Sequence, residues 1–315
     1  FSVHFWAPKS EPRGSGARSP RDAGVWGRAG PTYHRYKITV IWEKKGINNM
    51  NQQERLAATA APLLDWYEKN KRDLPWRRTR DPYKIWVSEI MLQQTRVAAA
   101  LPYYLRWMEE LPDVNALAAV EEERLMKLWQ GLGYYSRARN LQRAAKVIVE
   151  ELDGRFPDTW EGLRKLPGVG DYTAGAVASI AFSRRVPAVD GNVLRVAARV
   201  ADIRENIMDT KVRRRLSELM TTAVPSDRPG IYNQALMDLG ATVCLPNGKP
   251  LCDACPLSTL CEAHRLGLED VLPVREKKVP RRVEELTVYL LVRDGRVALR
   301  KRPDRGLLAG LWEFP

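Results

Sequence analysis

From about residue 52 to 265 the apolar positions recur at helical spacing, so this stretch reads as a set of packed helices. Asp81-Pro82 marks one helix start, with Asp at the cap and Pro in the first turn, where a missing N–H is no loss. The helix that follows is predicted to run to about Ala100, with Val87, Ile90, Met91, Val97 and Ala98 as its main apolar stripe. Further helices are predicted at about 115–129, 137–151, 172–182, 192–202, 211–223 and 231–241. Gly and Pro clusters separate them, as at Gly131-Leu132-Gly133 and Leu166-Pro167-Gly168. No internal repeat is visible, and no apolar run reaches the roughly 18 residues a membrane-spanning helix needs.

The period changes after the helices. Residues 266–284 read as a linker, with Pro273, Pro280 and a basic run from Arg275 to Arg282. Thr287 to Val292 is rich in β-formers, Asp294-Gly295 is a hairpin turn, and Val297 to Arg302 is the return strand. A second domain of α/β or β type therefore begins near 285; its part in 285–315 is too short to make a core alone. At the other end, residues 8 to 31 are rich in Pro, Gly, Ser and Arg, which disfavours a packed core. Residues 1–50 thus read as a basic, disordered or non-native extension, and Met50 before the first helix reads as a start. An organellar transit peptide is the lower-ranked alternative, since no clear amphipathic helix accompanies the Arg-rich composition.

Charge narrows the partner. The chain has 315 residues with 51 Lys and Arg against 38 Asp and Glu, a net charge of +13. Nine basic and three acidic residues in the first 50 give +6 of this, leaving +7 to the body. A basic body suits an anionic partner, with nucleic acid the first candidate and a merely basic soluble surface the plain alternative.

Two local patterns carry chemistry. Cys244, Cys252, Cys255 and Cys261 lie in one window with spacing C-x7-C-x2-C-x5-C, and the chain has no other cysteine. Four thiols on one short segment argue for a metal centre rather than disulfides. Zinc and an iron–sulfur cluster are both chemically suited, the single short Cys pair favouring the cluster. His264 reads as a surface residue, because four cysteines already complete a ligand set. The second pattern is Leu166-Pro167-Gly168-Val169-Gly170 ahead of Asp171-Tyr172-Thr173. Gly168 and Gly170 let the backbone turn tightly and approach another molecule, and the amides at the next helix start can hold a phosphate. This is the pattern of a helix–hairpin–helix over about 160–182; an ordinary interhelical turn is the alternative.

Several longer stretches then become specific: Leu74-Pro-Trp-Arg77, Trp86-Val-Ser-Glu-Ile-Met-Leu-Gln-Gln-Thr95, Gly131-Leu-Gly-Tyr-Tyr135, Val189-Asp-Gly-Asn-Val193 and Asn233-Gln-Ala-Leu-Met-Asp-Leu-Gly240. With the hairpin and the cysteine loop, residues 51–265 resemble the endonuclease III superfamily of DNA glycosylases, and most closely its adenine-specific, MutY-type branch. The resemblance implies a mainly α, two-lobed helical glycosylase with a helix–hairpin–helix and an iron–sulfur loop at 244–261. A truncated Nudix-like α/β domain would follow at 285–315, to which Gly306 to Pro315 is similar as an early loop. No Nudix hydrolytic box is present, so no diphosphatase activity is expected. The spacing from Cys244 to Cys252 is one residue longer than is usual in the family; Asn247-Gly248 is a turn pair able to absorb it.

Cleaving adenine from deoxyribose needs an acid to protonate the base and a carboxylate to stabilise the cationic sugar. Glu89 has Ile85, Trp86 and Leu92 on its helical flanks, neighbours that raise a carboxyl pKa; a solvated helical Glu is the plain alternative. By resemblance it is the acid that protonates the adenine ring and later activates water. Asp190 reads by itself as a helix N-cap. By resemblance it stabilises the oxocarbenium-like state, supported by Asn192. Position 172, where lyase relatives carry Lys, is Tyr172, so a hydrolase without lyase chemistry is expected, with the Tyr assisting at the sugar. The resemblance also implies that Gln94 and Tyr134 push into the base stack, a helix-surface amide and a core aromatic being the plain alternatives, and that Trp76, Arg77, Leu92 and Gln234 line the adenine pocket, with Arg77 as a phosphate contact and Trp76 as a core residue the alternatives. The implied partner is double-stranded DNA with adenine opposite 8-oxoguanine or guanine, the implied cofactor a [4Fe–4S] cluster, and the implied state a monomer. The implied compartment is the bacterial cytoplasm, or the nucleus or mitochondrion of a eukaryote. A pyrimidine glycosylase/lyase of the endonuclease III kind and a non-catalytic iron–sulfur DNA-binding protein are the rival readings.

Overall fold

The computed structural model describes the backbone of residues 2–5 and 36–39, and residues 46, 49–276, 283, 285, 287–303 and 310–315. It divides into two units, Phe1–Asn49 and Met50–Pro315. In the first, strands β1 (Ser2–Phe5) and β2 (Tyr36–Thr39) pair antiparallel, Ser2 opposite Thr39. This pair stands inside the extension whose composition predicts no packed structure; the Pro- and Gly-rich residues 8–31 lie outside the described residues.

The second unit is helical. Asn51 and Glu54 close a capping box at the start of α1 (Gln52–Ala57), and α2 (Ala60–Asn70) follows. A 3-10 turn at Pro75–Arg77 leads to α3 (Pro82–Leu92), capped by Asp81, whose carboxylate accepts from the Tyr83 amide at 2.9 Å. Then come α4 (Val97–Glu110), α5 (Val114–Ala119), α6 (Glu122–Trp129), α7 (Ser136–Glu151) and α8 (Trp160–Arg164). The series ends with α9 (Asp171–Phe182), α10 (Gly191–Val200), α11 (Thr210–Ala223), α12 (Pro229–Thr242) and α13 (Glu262–Leu266).

Two predicted helices are each divided. The helix expected over 82–100 stops at Leu92, because Gln94 takes a left-handed φ of 56° that no helix can carry. Ala98 then falls on the exposed side of α4 rather than on the apolar stripe. The helix expected over 115–129 breaks at Val120, which is extended, before Glu121 starts α6.

Burial forms two hydrophobic cores. The first gathers Trp86, Met91, Trp107, Leu125, Trp129, Leu141 and Ile148 with the inner residues of α3 to α9. The second gathers Leu56, Leu63, Val193, Leu216, Tyr232 and Leu239, from α1, α2 and α10 to α12, and reaches the cysteine loop through Leu257. Helix α9 serves both, with Val177 and Ala178 in the first core and Ala176 in the second. Beyond 287, β3 (Val292–Arg293) and β4 (Arg296–Val297) form the hairpin predicted at Asp294-Gly295, and β5 (Arg300–Lys301) pairs with β6 (Trp312–Glu313). The basic run at 277–282 and residues 304–309 lie outside the described residues. No described helix is long and apolar enough to cross a membrane.

Candidate active site

Glu89 and Asp190, one hundred and one positions apart in sequence, lie close enough for the charge of Asp190 to act on Glu89. Glu89 is on α3 and only 6% exposed. Burial pushes its pKa above the usual carboxylate range, against a hydrogen bond donated by the Tyr172 hydroxyl and the charge of Arg77; the charge of Asp190 adds to the rise. Tyr172, on the first turn of α9, also reaches the Met237 sulfur at 3.6 Å. Its own pKa is held well above the usual phenol value by burial and by the neighbouring Glu89 and Asp190.

Asp190 is the N-cap of α10, as its sequence position suggests. One carboxylate oxygen accepts from the amides of Asn192 (2.9 Å) and Val193 (2.8 Å), and the other from the Asn192 side chain at 2.8 Å. Burial raises its pKa and these bonds oppose the rise. Asn192 in turn accepts from Arg195 at 2.9 Å, and Arg195 donates to the carbonyls of Gly240 (2.6 Å) and Cys244 (2.8 Å). Gly240 has to be a glycine: an added Cβ would stand 2.5 Å from that of Asn192. The carboxylate is thus tied through two side chains to the first cysteine of the cysteine loop.

The expected base pocket is only partly assembled as a pocket. Trp76 is a core residue, 4% exposed and packed edge-on against Tyr104 at 5.0 Å. Leu92 is half-buried at the end of α3. Arg77 donates to Tyr67, to the Gln234 carbonyl oxygen at 3.0 Å and to Asp238 at 2.9 Å. That Gln234 oxygen also accepts from Tyr67 at 3.0 Å, so the side-chain oxygen is held by two donors. Arg77, Ile180, Arg228 and Gln234 line a small, open cleft beside this group.

The residues expected at the DNA sit on three loops. Gln94 and Tyr134 are both exposed, and both are left-handed, with φ of 56° and 49°. In the hairpin between α8 and α9, Gly168 makes the turn at φ 75°, and a Cβ there would meet Asn140 at 2.5 Å. Gly170 has an ordinary φ of −91° and open space around it, so it caps α9 without forcing the turn.

The four cysteines are half-buried free thiols, and Cys244, Cys255 and Cys261 pack against the second core. Burial, helped by the other cysteines, pushes Cys255 up to about 12 and Cys261 up to about 11, and raises Cys252. Arg199 approaches the Cys244 sulfur at 3.1 Å. Cys252 also lies within metal-ligand reach of His264 and Glu269, and His264 is paired with Glu269 at 2.7 Å, so this exposed histidine is not an idle surface group. Gly248 turns the longer first spacing with φ 73°, as its Asn-Gly pair predicts.

Residues 87–222 match the family described as HhH-GPD superfamily base excision DNA repair protein. The adenine DNA glycosylase of Mus musculus is 40% identical over 338 aligned residues, covering 86% of this chain and 65% of its own. That of Buchnera aphidicola subsp. Acyrthosiphon pisum (strain APS) is 34% identical, covering 80% of this chain and 72% of its own. This chain belongs to the adenine DNA glycosylase family. Among solved structures, a thermostable thymine-DNA glycosylase superposes at a TM-score of 0.61 with 30% identity, covering 67% of this chain and 97% of that one. The chain spans less than two-thirds of the length of the mouse relative.

For an adenine DNA glycosylase family member, three site residues escape sequence reasoning. Asp238 is buried between Arg72 (2.6 Å) and Arg77 (2.9 Å); its spacing of four from Gln234 on α12 was a usable signal. Arg195 is one turn beyond Asn192 on α10, the same kind of signal. Met237 faces Tyr172 with no pattern to announce it.

Proposed function

We propose that this chain is a monofunctional adenine DNA glycosylase of base excision repair, hydrolysing the N-glycosidic bond of adenine opposite 8-oxoguanine or guanine in duplex DNA. The carrying observation is the buried Glu89, bonded to Tyr172 and within the electrostatic reach of Asp190. A carboxyl whose pKa is raised keeps its proton to higher pH than an ordinary carboxylate and can deliver it to the departing adenine. Asp190, with three hydrogen bonds favouring its charged form, faces the sugar as the cation develops, and Asn192 and Arg195 keep it in place. Glu89, now without its proton, takes one from the attacking water. No amine stands at position 172, so no Schiff base forms there.

Gln94 and Tyr134 fill the gap left by the extruded base, and the Gln234 amide with Arg77 receives it. Gly168, Gly170 and the start of α9 hold the backbone phosphate. Cys244, Cys252, Cys255 and Cys261 would hold a [4Fe–4S] cluster; four converging half-buried thiols with a guanidinium beside one of them suit it. When bound, such a cluster supplies a rigid cross-link between the end of α12 and the start of α13. Residues 285–315 are read as the start of a Nudix-like module over the opposite strand, and the chain as a monomer.

The test is single-turnover excision on duplexes with adenine opposite 8-oxoguanine, guanine and thymine, with and without alkali. Excision from the first two, strand breaks only after alkali, and abolition by Glu89→Gln are expected. Strand breaks without alkali, or full excision by Glu89→Gln, would overturn the reading. The purified protein should be brown and contain iron; colourless protein holding zinc would remove the cluster from it.

A further inference from the structure

Arg137 is 8% exposed and carries no carboxylate partner among the ion pairs of the described residues. Its guanidinium instead donates to five backbone carbonyls. Three belong to the end of α3 and the turn after it: Ile90 (2.9 Å), Met91 (3.2 Å) and Gln93 (2.6 Å). Two belong to the loop between α6 and α7: Leu132 (3.1 Å) and Gly133 (3.2 Å). The next residue along each loop is the left-handed one, Gln94 and Tyr134. The guanidinium also lies over the Trp129 ring at 5.2 Å and the Tyr134 ring at 5.6 Å.

A left-handed non-glycine residue costs free energy and persists only where its surroundings hold it. Here the holding group is one buried cation at the junction of both loops. Exposed side chains on two separate loops would otherwise move independently on the nanosecond to microsecond scale of loop motion. The two terminal nitrogens, Nη1 on the Gln94 side with its two hydrogens shared among three carbonyls and Nη2 on the Tyr134 side, belong to one planar, rigid group, so neither loop moves without the other.

We infer that Arg137 is a positioning residue that locks the Gln94 and Tyr134 loops into one unit, so that both side chains enter the base stack together. The inference rests on the proposed reading of those two residues as the wedge. Arg137 itself touches neither the acids nor the base, so its effect is on extrusion of the adenine rather than on the bond cleavage that follows.

Two measurements on the purified chain test this. Hydrogen exchange without DNA reads the clamp directly. In Arg137→Met the amides around 93–96 and 131–135 are expected to exchange faster together, by roughly tenfold or more, while the middle of α7 keeps its protection. Arg137→Lys, which keeps the charge but has no fork, falls between. Faster exchange in one loop only, in neither, or throughout α3 and α7 overturns the inference. The second measurement compares adenine excision from a mispaired duplex and from a single-nucleotide adenine bulge, where less unstacking is needed. Arg137→Met is expected to lose about a hundredfold on the mispair and far less on the bulge. Equal losses on both overturn the assignment to extrusion. A wild-type chain that excises adenine from neither duplex sinks the functional reading, while the exchange result still decides the clamp.

Discussion

The Tyr172 hydroxyl donates its hydrogen bond to the Glu89 carboxyl, so a phenol whose proton is held tightly leans on an acid whose proton is held more tightly than usual. The bond lowers the Glu89 pKa while burial raises it. Removing the hydroxyl in Tyr172→Phe leaves burial less opposed and raises the Glu89 pKa further. An acid that works in its protonated form then stays active to higher pH. The alkaline limb of the single-turnover rate profile is expected to move up in Tyr172→Phe; an unmoved limb would show that the bond does not tune the acid.

Glu89 also sets a pH dependence of stability. Its folded pKa lies above the ordinary carboxylate value of the unfolded chain, so the folded state binds the proton more tightly. Its contribution is fully present below the unfolded pKa and is lost as pH rises through the folded one. At neutral pH, Glu89→Gln is therefore expected to melt at higher temperature than the parent, with the gain vanishing near pH ~4. Thermal melts by circular dichroism at several pH values decide it. A gain equally large in acid would assign the effect to packing.

Asp190 caps α10 and is proposed to face the reacting sugar, and two substitutions separate the roles. Asn caps about as well as Asp, whereas Ala in place of a cap costs about 1 kcal/mol. Asp190→Asn is expected to keep the unfolding midpoint and to lose about 10²–10³-fold in excision, the scale of removing one preorganised charge-stabilising group. Asp190→Ala loses both. An Asp190→Asn protein of full activity would remove the charge from the mechanism.

Asp238 tests the ion pair that holds Arg77. Its side chain is 1% exposed and neutralises Arg72 and Arg77, of which Arg72 is 30% exposed and partly hydrated. Asp238→Asn leaves Arg77 without its charge partner. After discounting for the exposed partner, a loss of about 2 kcal/mol is expected in urea unfolding. Excision should fall as well, because Arg77 then holds Gln234 less firmly. Unchanged stability would show that the pair is not a structural support.

The helix content and the caps were legible because they depend on neighbours in sequence: Asp81 before Pro82, and Asp190 before Gly191-Asn192. The break after Leu92 was not, since Gln94 carries no glycine or proline signal. Its left-handed backbone is held by Arg137, forty-three positions away. Glu89 could be singled out from its apolar flanks, and its burial follows from them. The pocket was less legible. Trp76, implied at the base by resemblance, packs against Tyr104 in the core, and whether an aromatic lines a pocket or fills a core depends on packing that no local pattern encodes. The Asp238 pairing likewise joins residues 161 and 166 positions apart.

Because Glu89 rides on the first hydrophobic core and Asp190 on the second, the distance between the two acids is a property of how one packed mass seats on the other. Helix α9, shared by both, is the hinge pin of that seating. Small slippage there would misalign the chemistry while each mass stayed folded, so warming should silence such an enzyme some degrees before it melts.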